Sequence, residues 1–131
     1  MLKRIDHIEI VPQDFERSLA FYSDVLGFKL HHRIAIDSPP MTEVVYLRQN
    51  DSAIELLRAV PPIPRNHRYG QAGYNAMAWE VDDMDATLRE LAKKGVAPTW
   101  GPRTREAFIR AEIADPDGNA IELRQWLKKP A

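Results

Sequence analysis

The chain contains no cysteine among its 131 residues, and this absence excludes disulfide bonds and thiolate metal sites. Long apolar runs are also missing, so no segment is expected to span a bilayer and no signal-peptide core is recognised at the N-terminus. The formal net charge of −1 gives no broad basic field, which argues against nucleic-acid and anionic-membrane partners. A cytoplasmic globular protein of one domain is therefore expected.

What the chain does have is an internal repeat. The sequence Ala-Ile-Glu-Leu occurs at 53–56 and again at 120–123. Each copy is preceded by a helix pattern with an aspartate N-cap, an apolar stripe at helical spacing and a closing glycine. The first pattern comprises Asp14, Phe15, Leu19, Tyr22 and Gly27, and the second comprises Asp83, Met84, Leu88, Leu91 and Gly95.

Strand patterns surround both helices. They cover 5–11, 29–36, 43–47 and 53–58 in the first half, and 75–81, 108–114 and 120–126 in the second, with a weak Pro/Gly/Arg segment over 98–105. The sequence Asp-Pro-Asp-Gly at 115–118 is typical of a type I turn and predicts a hairpin between the last two strands. We therefore predict an α+β domain of two βαβββ modules, about 4–60 and 74–127, joined by a Pro/Gly-rich linker over 61–73.

Strand alternation places several polar side chains on the face away from the helices. His7 and Glu9 share that face of the first strand, and His7, Glu55 and Glu122 each lie in the middle of their strands. One imidazole and two carboxylates can hold a divalent ion if the strands bring them together. The alternative is that each is a solvated residue on an open sheet face.

Three segments resemble a known family. Ile-Asp-His-Ile at 5–8, Ser-Leu-Ala-Phe-Tyr-Ser-Asp-Val-Leu-Gly-Phe at 18–28 and Asp-Pro-Asp-Gly-Asn-Ala-Ile-Glu-Leu at 115–123 are similar to the vicinal oxygen chelate superfamily, which includes glyoxalase I, bleomycin-resistance proteins and extradiol dioxygenases. The resemblance implies a curled mixed sheet around a cavity, with the helices on its outer face. It also implies a homodimer.

The resemblance also implies a ligand set for one divalent metal per site. In glyoxalase I-like members the ligands correspond to His7, Glu55 and Glu122, but the fourth position falls on Ala76, which has no donor atom. Three protein ligands with water could still bind Zn²⁺, Ni²⁺, Mn²⁺ or Mg²⁺. The missing imidazole counts against extradiol dioxygenase chemistry, because the resembling enzymes hold iron with two histidines and one glutamate.

The function that the resemblance implies is a metal-dependent lyase or isomerase of the glyoxalase I type. It would act on a small hydroxycarbonyl or hemithioacetal metabolite through an enediolate-type intermediate, with Glu122 as the mobile base. The alternative, favoured by Ala76, is a metal-free protein of the bleomycin-resistance type that sequesters a small molecule. A thiol transferase similar to the fosfomycin-resistance enzymes is a third possibility, but it would need a fuller metal set.

Several charged residues are candidates for substrate binding. Arg124 lies two residues after Glu122 on the same strand face, and arginine side chains bind carboxylates and phosphates. The basic residues of the loops have a second interpretation as solvated charges. The substrate-binding candidates are Arg124, Glu9, Glu80, Arg103 and Arg105.

Overall fold

Each half of the chain forms one mixed four-stranded sheet with a helix in the computed structural model, which describes residues 1–130. The first half contains β1 (Ile8–Ile10), α1 (Phe15–Ala20) with a π-helical continuation (Phe21–Val25), β2 (Lys29–Ser38), β3 (Met41–Gln49) and β4 (Ser52–Ala59). The second half contains β5 (Ala76–Glu80), α2 (Met84–Lys93), β6 (Trp100–Thr104), β7 (Phe108–Ala114) and β8 (Ala120–Trp126).

The strand order is the same in both halves. It is β1-β4-β3-β2 in the first sheet and β5-β8-β7-β6 in the second. The first strand of each half pairs in parallel with the last, and the other pairs are antiparallel. The predicted α+β fold of two tandem βαβββ modules is confirmed. The chain divides into two compact units, Met1–Arg65 and Asn66–Ala131.

Both helices begin and pack as their sequence patterns predict. Asp14 and Asp83 each accept a hydrogen bond from the backbone N–H three residues later, at 3.1 and 2.9 Å, and so cap the first turn. Among residues 1–130, neither helix has the length and apolar character needed to cross a membrane. The apolar residues of the first helix pattern, Phe15, Leu19 and Tyr22, are buried, and in the second pattern Met84 and Leu91 are buried while Leu88 is half-buried.

The strand boundaries differ from the predicted ones at two places that matter for the site. β1 begins at Ile8, so His7 lies immediately before the strand and not in its middle. The weak pattern over 98–105 contains a strand, β6, whose pairing with β7 is interrupted between Trp100 and Arg103. The glycine and proline in that segment make the strand irregular. Its side chains therefore do not alternate along the sequence, and the sequence pattern gives only a weak signal.

Adjacent histidines in β2 depart from simple strand alternation. The sequence predicts that His31 and His32 point to opposite faces, but their ring centroids lie only 4.5 Å apart. The register of β2 against β3 shifts between Leu30 and His32. A bulge of this kind inserts an extra residue, which turns one side chain toward its neighbour.

Candidate metal centre

Strands β1 and β4 bring three potential metal donors together in the first unit. Glu9 and Glu55 are direct partners in the parallel pair, and His7 lies two residues before Glu9. Side chains at i and i+2 of an extended segment share a face. One ligand atom from each of the three side chains lies within 4.8 Å of the others.

The imidazole of His7 is held at both of its nitrogens. Nδ1 lies 2.9 Å from Oδ2 of Asp6, and Nε2 lies 2.9 Å from Oε2 of Glu55. A carboxylate only accepts hydrogen bonds, so Nδ1–H donates to Asp6 and Nε2 is the atom directed at the cluster. Tyr46, which is opposite Glu55 on β3, places its ring edge-to-face with the imidazole at 6.4 Å between centroids.

The surroundings of His7 and Glu55 raise the pKa values of both side chains. The hydrogen bond to Asp6 is the main cause that raises the pKa of His7, and the charges of Glu55 and Glu9 add to it. Burial raises the pKa of Glu55, and the negative charge of Glu9 adds to that effect, while His7 opposes it. The cluster therefore favours an added positive charge, either as a proton or as a cation.

The donor set fits a divalent ion. When His7 is neutral with hydrogen on Nδ1, the lone pair of Nε2 faces a carboxylate oxygen 2.9 Å away, and two acceptors at that distance repel each other. A cation placed beside both atoms removes this conflict. A carboxylate that accepts from the other ring nitrogen, as Asp6 does from His7, is also the usual outer partner of a metal-bound histidine.

The second unit lacks the equivalent donors on its first strand. Ala78 pairs with Glu122 as Glu9 pairs with Glu55, which makes Ala76 the counterpart of His7. Alanine supplies no ligand atom at either position. The gap that the sequence predicts at Ala76 is therefore part of a wider difference between the two modules.

Glu122 forms ion pairs with two arginines in the second unit. Its Oε1 lies 2.9 Å from Nη2 of Arg124 and forms a close ion pair with Nε of Arg110. Glu112, the cross-strand partner of Glu122, accepts from Nη2 of Arg110 at 2.7 Å and from the hydroxyl of Tyr69 at 3.1 Å. Burial lowers the pKa of Arg110, but the carboxylates of Glu122 and Glu112 outweigh it and the net shift is upward.

The other candidates from the sequence have different surroundings. Arg103 stacks over the indole of Trp100, with 5.1 Å between Cζ and the ring centroid. The backbone N–H of Arg105 donates to the carbonyl of Phe108 at 2.7 Å. Glu80 accepts from Nζ of Lys129 at 2.9 and 3.1 Å, an arrangement that does not require a ligand.

Several residues of these clusters were not identified as candidates from the sequence. Asp6 could have been found, because it precedes His7 in a motif that the resemblance already includes. Tyr46, Arg110 and Glu112 could not, since each is placed by strand register, and register is not readable from a single alternating pattern. The structure thus adds an outer partner of His7 and an ion-pair network around Glu122.

Residues 4–123 match the sequence profile of the Glyoxalase/Bleomycin resistance protein/Dioxygenase superfamily. The chain belongs to this superfamily. The resemblance seen in the end segments is thereby confirmed, and so is the superfamily fold of two tandem modules.

Individual members of the superfamily align with nearly the whole chain. It is 31% identical to the uncharacterized protein YaeR of Escherichia coli, over 93% of this chain and 95% of that protein. It is 29% identical to the probable lactoylglutathione lyase of a Synechocystis species, over 94% and 95% respectively. The structure of glyoxalase I from Leishmania major, described as trypanothione-dependent, is similar with a TM-score of 0.75 and 25% identity, over 95% and 87% of the two chains.

Proposed function

We propose that the protein is a divalent-metal-assisted lyase or isomerase that acts on a small oxygenated metabolite, such as a hydroxycarbonyl compound or a hemithioacetal. The observation that carries the proposal is the convergence of His7, Glu9 and Glu55 within 4.8 Å. Similarity to a probable lactoylglutathione lyase supports the same class of reaction. The divalent ion, when bound, would polarise neighbouring oxygens of the substrate.

The roles of the protein side chains follow from their surroundings. His7 and Glu55 are the proposed anchors of the ion, because Asp6 orients the imidazole and the buried carboxylate of Glu55 lies beside its Nε2 atom. Glu9 and Glu122 are the two candidates for a further carboxylate ligand. Glu122 is also the proposed general base, which would take a proton from one carbon of the substrate and return it to the neighbouring carbon. Arg110 and Arg124 would orient that carboxylate.

Metal content tests the proposal directly. The protein is equilibrated with Zn²⁺, Ni²⁺ or Mn²⁺, dialysed and measured by elemental mass spectrometry. We expect about one ion per chain, lost in His7→Ala and Glu55→Gln. His32→Ala and Glu90→Gln are matched controls, because both residues are exposed and lie outside the cluster. Retention of no ion by the wild-type protein would contradict the proposal.

Two further variants test which carboxylate, that of Glu9 or that of Glu122, is the third ligand of the ion. If Glu9→Gln loses the ion and Glu122→Gln keeps it, Glu9 is the third ligand, and the reverse result assigns that role to Glu122. With the metal-loaded protein, turnover of hemithioacetals and hydroxycarbonyl compounds is then followed spectroscopically. A Glu122→Gln variant that keeps its ion and loses turnover would support the role of general base.

A second candidate function is favoured by the ion pairs of Glu122. Because Arg110 and Arg124 already neutralise this carboxylate, the second unit can be stable without a metal. The protein would then bind and sequester a small molecule without chemistry. Ligand binding that is unchanged by a chelator, in a protein that retains no ion, is the result expected for this function.

The proposal includes a cytoplasmic homodimer. The absence of cysteine fits a reducing compartment, and the dimer is what the family resemblance implies. Light scattering coupled to size-exclusion chromatography measures the molar mass and so tests for a dimer. A monomeric mass at micromolar concentration would contradict it.

A further inference from the structure

Three arginines form a row across the second sheet. Arg103 on β6 is the direct partner of Arg110 on β7, and Arg110 is the direct partner of Arg124 on β8. Like charges directly opposite each other on neighbouring strands are destabilising unless something compensates them. The row therefore requires negative charge nearby.

Two carboxylates supply most of that charge. Glu112 and Glu122 are cross-strand partners two residues along the same strands, and their side chains are only 12% and 13% exposed. Arg110 contacts both carboxylates, and Arg124 contacts Glu122. Three positive charges thus face two negative ones, which leaves an excess of one positive charge.

The excess charge belongs to Arg103. Within residues 1–130 its guanidinium forms no ion pair, and its stacking on Trp100 is the interaction that the structure gives it. Arg110 lies over the same indole, with 5.0 Å between Cζ and the ring centroid. Stacking holds the guanidinium plane while leaving its N–H groups at the edge available to an acceptor. Because Arg103 is exposed, a ligand can reach it.

We propose that the row of Arg103, Arg110 and Arg124 binds the anionic group of a ligand, a carboxylate or a phosphoryl group, with Arg103 as the principal contact. A bidentate pair with a planar or tetrahedral oxyanion balances the remaining charge and suits the fork of N–H donors. Arg110 adds to the positive electrostatic potential at the site, while Glu112 and Glu122 hold its guanidinium in place. This inference goes beyond the proposed function, because it requires no metal.

Calorimetric titration with phenyl phosphate and with benzoate tests the inference, and chelator is present throughout. Benzamide, which is neutral and similar in shape to benzoate, serves as the uncharged ligand. We expect the anions to bind and benzamide not to bind, with an affinity about tenfold weaker in Arg103→Gln. Arg103→Lys, which keeps the charge and loses the fork, is expected to fall between the two.

A control variant separates this site from general attraction to positive charge. Arg89→Gln removes an exposed arginine from α2 in the same unit and is expected to leave both affinities unchanged. Equal weakening in Arg89→Gln and Arg103→Gln, or unchanged affinity in Arg103→Gln, would overturn the inference. Binding of both anions defines a general oxyanion site, and binding of phenyl phosphate alone defines a phosphoryl site.

The outcome is independent of the metal centre. His7→Ala removes a proposed ligand of the ion in the first unit, and we expect it to bind phenyl phosphate as the wild-type protein does. Anion binding that fails while metal binding succeeds would reject this inference and leave the proposed function standing. Anion binding that succeeds while metal binding fails would support this inference and reject the proposed function.

Discussion

The charge state of His7 decides whether the cluster holds a proton or a cation. Asp6 keeps hydrogen on Nδ1 and raises the pKa of the imidazole. Nε2 is then either protonated toward Glu55 or available to a metal. A metal ligand must give up its proton, so ion and proton compete for this one nitrogen. Below the pKa of His7, metal affinity should fall as the pH is lowered.

The hydrogen bond from His7 to Asp6 can be tested by a single substitution. Asp6→Asn removes the carboxylate that is the main cause of the raised pKa, so the pKa of His7 is expected to fall toward its ordinary value of 6.5. Titration of the imidazole Cε1–H signal by NMR measures the change. Asp37→Asn, an exposed aspartate outside the cluster, serves as the control, and an equal shift in it would contradict the role of Asp6.

At the level of single residues, the sequence indicates where donors lie but not what they touch. His7, Glu9 and Glu55 can be placed on one side of two strands from alternation alone, and Ala76 is recognisable as a missing donor. The pairing of Glu9 with Glu55 depends on parallel register between segments far apart in the chain. The same holds for Arg110, which no pattern connects to Glu122, and register of this kind is fixed by tertiary packing.

Among the strands and helices, β6 is the element whose irregularity has a clear cause. Gly101 has a φ of +77°, and a Cβ atom there would lie 2.8 Å from the backbone oxygen of Arg110 and 3.2 Å from Cα of Ala111. Only glycine combines this left-handed conformation with so close an approach of a neighbouring strand. The break in strand pairing lies between Trp100 and Arg103, and the guanidinium of Arg103 stacks over the indole of Trp100.

A matched pair of glycine substitutions measures that effect. Gly101→Ala adds both backbone strain and a clash, and we expect it to lower the free energy of unfolding by about 2 kcal/mol or more. Gly70 has a similar φ of +82° with nothing within 4 Å of an added Cβ, so Gly70→Ala is expected to cost about 1 kcal/mol. Urea denaturation gives both values, and equal losses would refute the close approach at Gly101.

The helices, the long strands and the final hairpin were predictable because their signals are local. Caps, apolar stripes and the turn at 115–118 each depend on residues within a few positions of one another. β1 and β6 were predicted poorly for the opposite reason. A three-residue strand and a strand containing Gly101 and Pro102 owe their conformation to neighbours that are distant in sequence.

For the whole molecule, the titration of the cluster affects folding stability. The pKa of His7 is raised on folding, so its contribution is complete below the unfolded value of about 6.5 and is lost as the pH rises through the folded value. The raised pKa of Glu55 acts in the same direction above about 4.5. A bound ion reverses this trend, because it binds the deprotonated groups.

Thermal unfolding with and without metal should therefore diverge as the pH increases. As the pH rises above about 6.5, the melting temperature of the metal-free protein relative to His7→Ala is expected to fall. An ion at a hundred times its dissociation constant adds about 2.7 kcal/mol, or about 10 °C for a domain of this size. Differential scanning calorimetry measures both effects. A metal-dependent increase that is the same in His7→Ala, or that grows at low pH, would contradict the assignment.

The parallel pairing of β1 with β4 has a consequence for the order of folding. Strands β2, β3 and β4 follow one another through short turns, so they can assemble by local steps. β1 must find its place beside β4 from the far end of the unit, and pairing between segments so distant along the chain is slow because loop closure costs entropy. We therefore expect His7 and Glu9 to reach Glu55 late in folding. An ion bound by these residues would hold the short strand β1 against β4. The backbone amide hydrogens of β1 would then exchange more slowly with solvent.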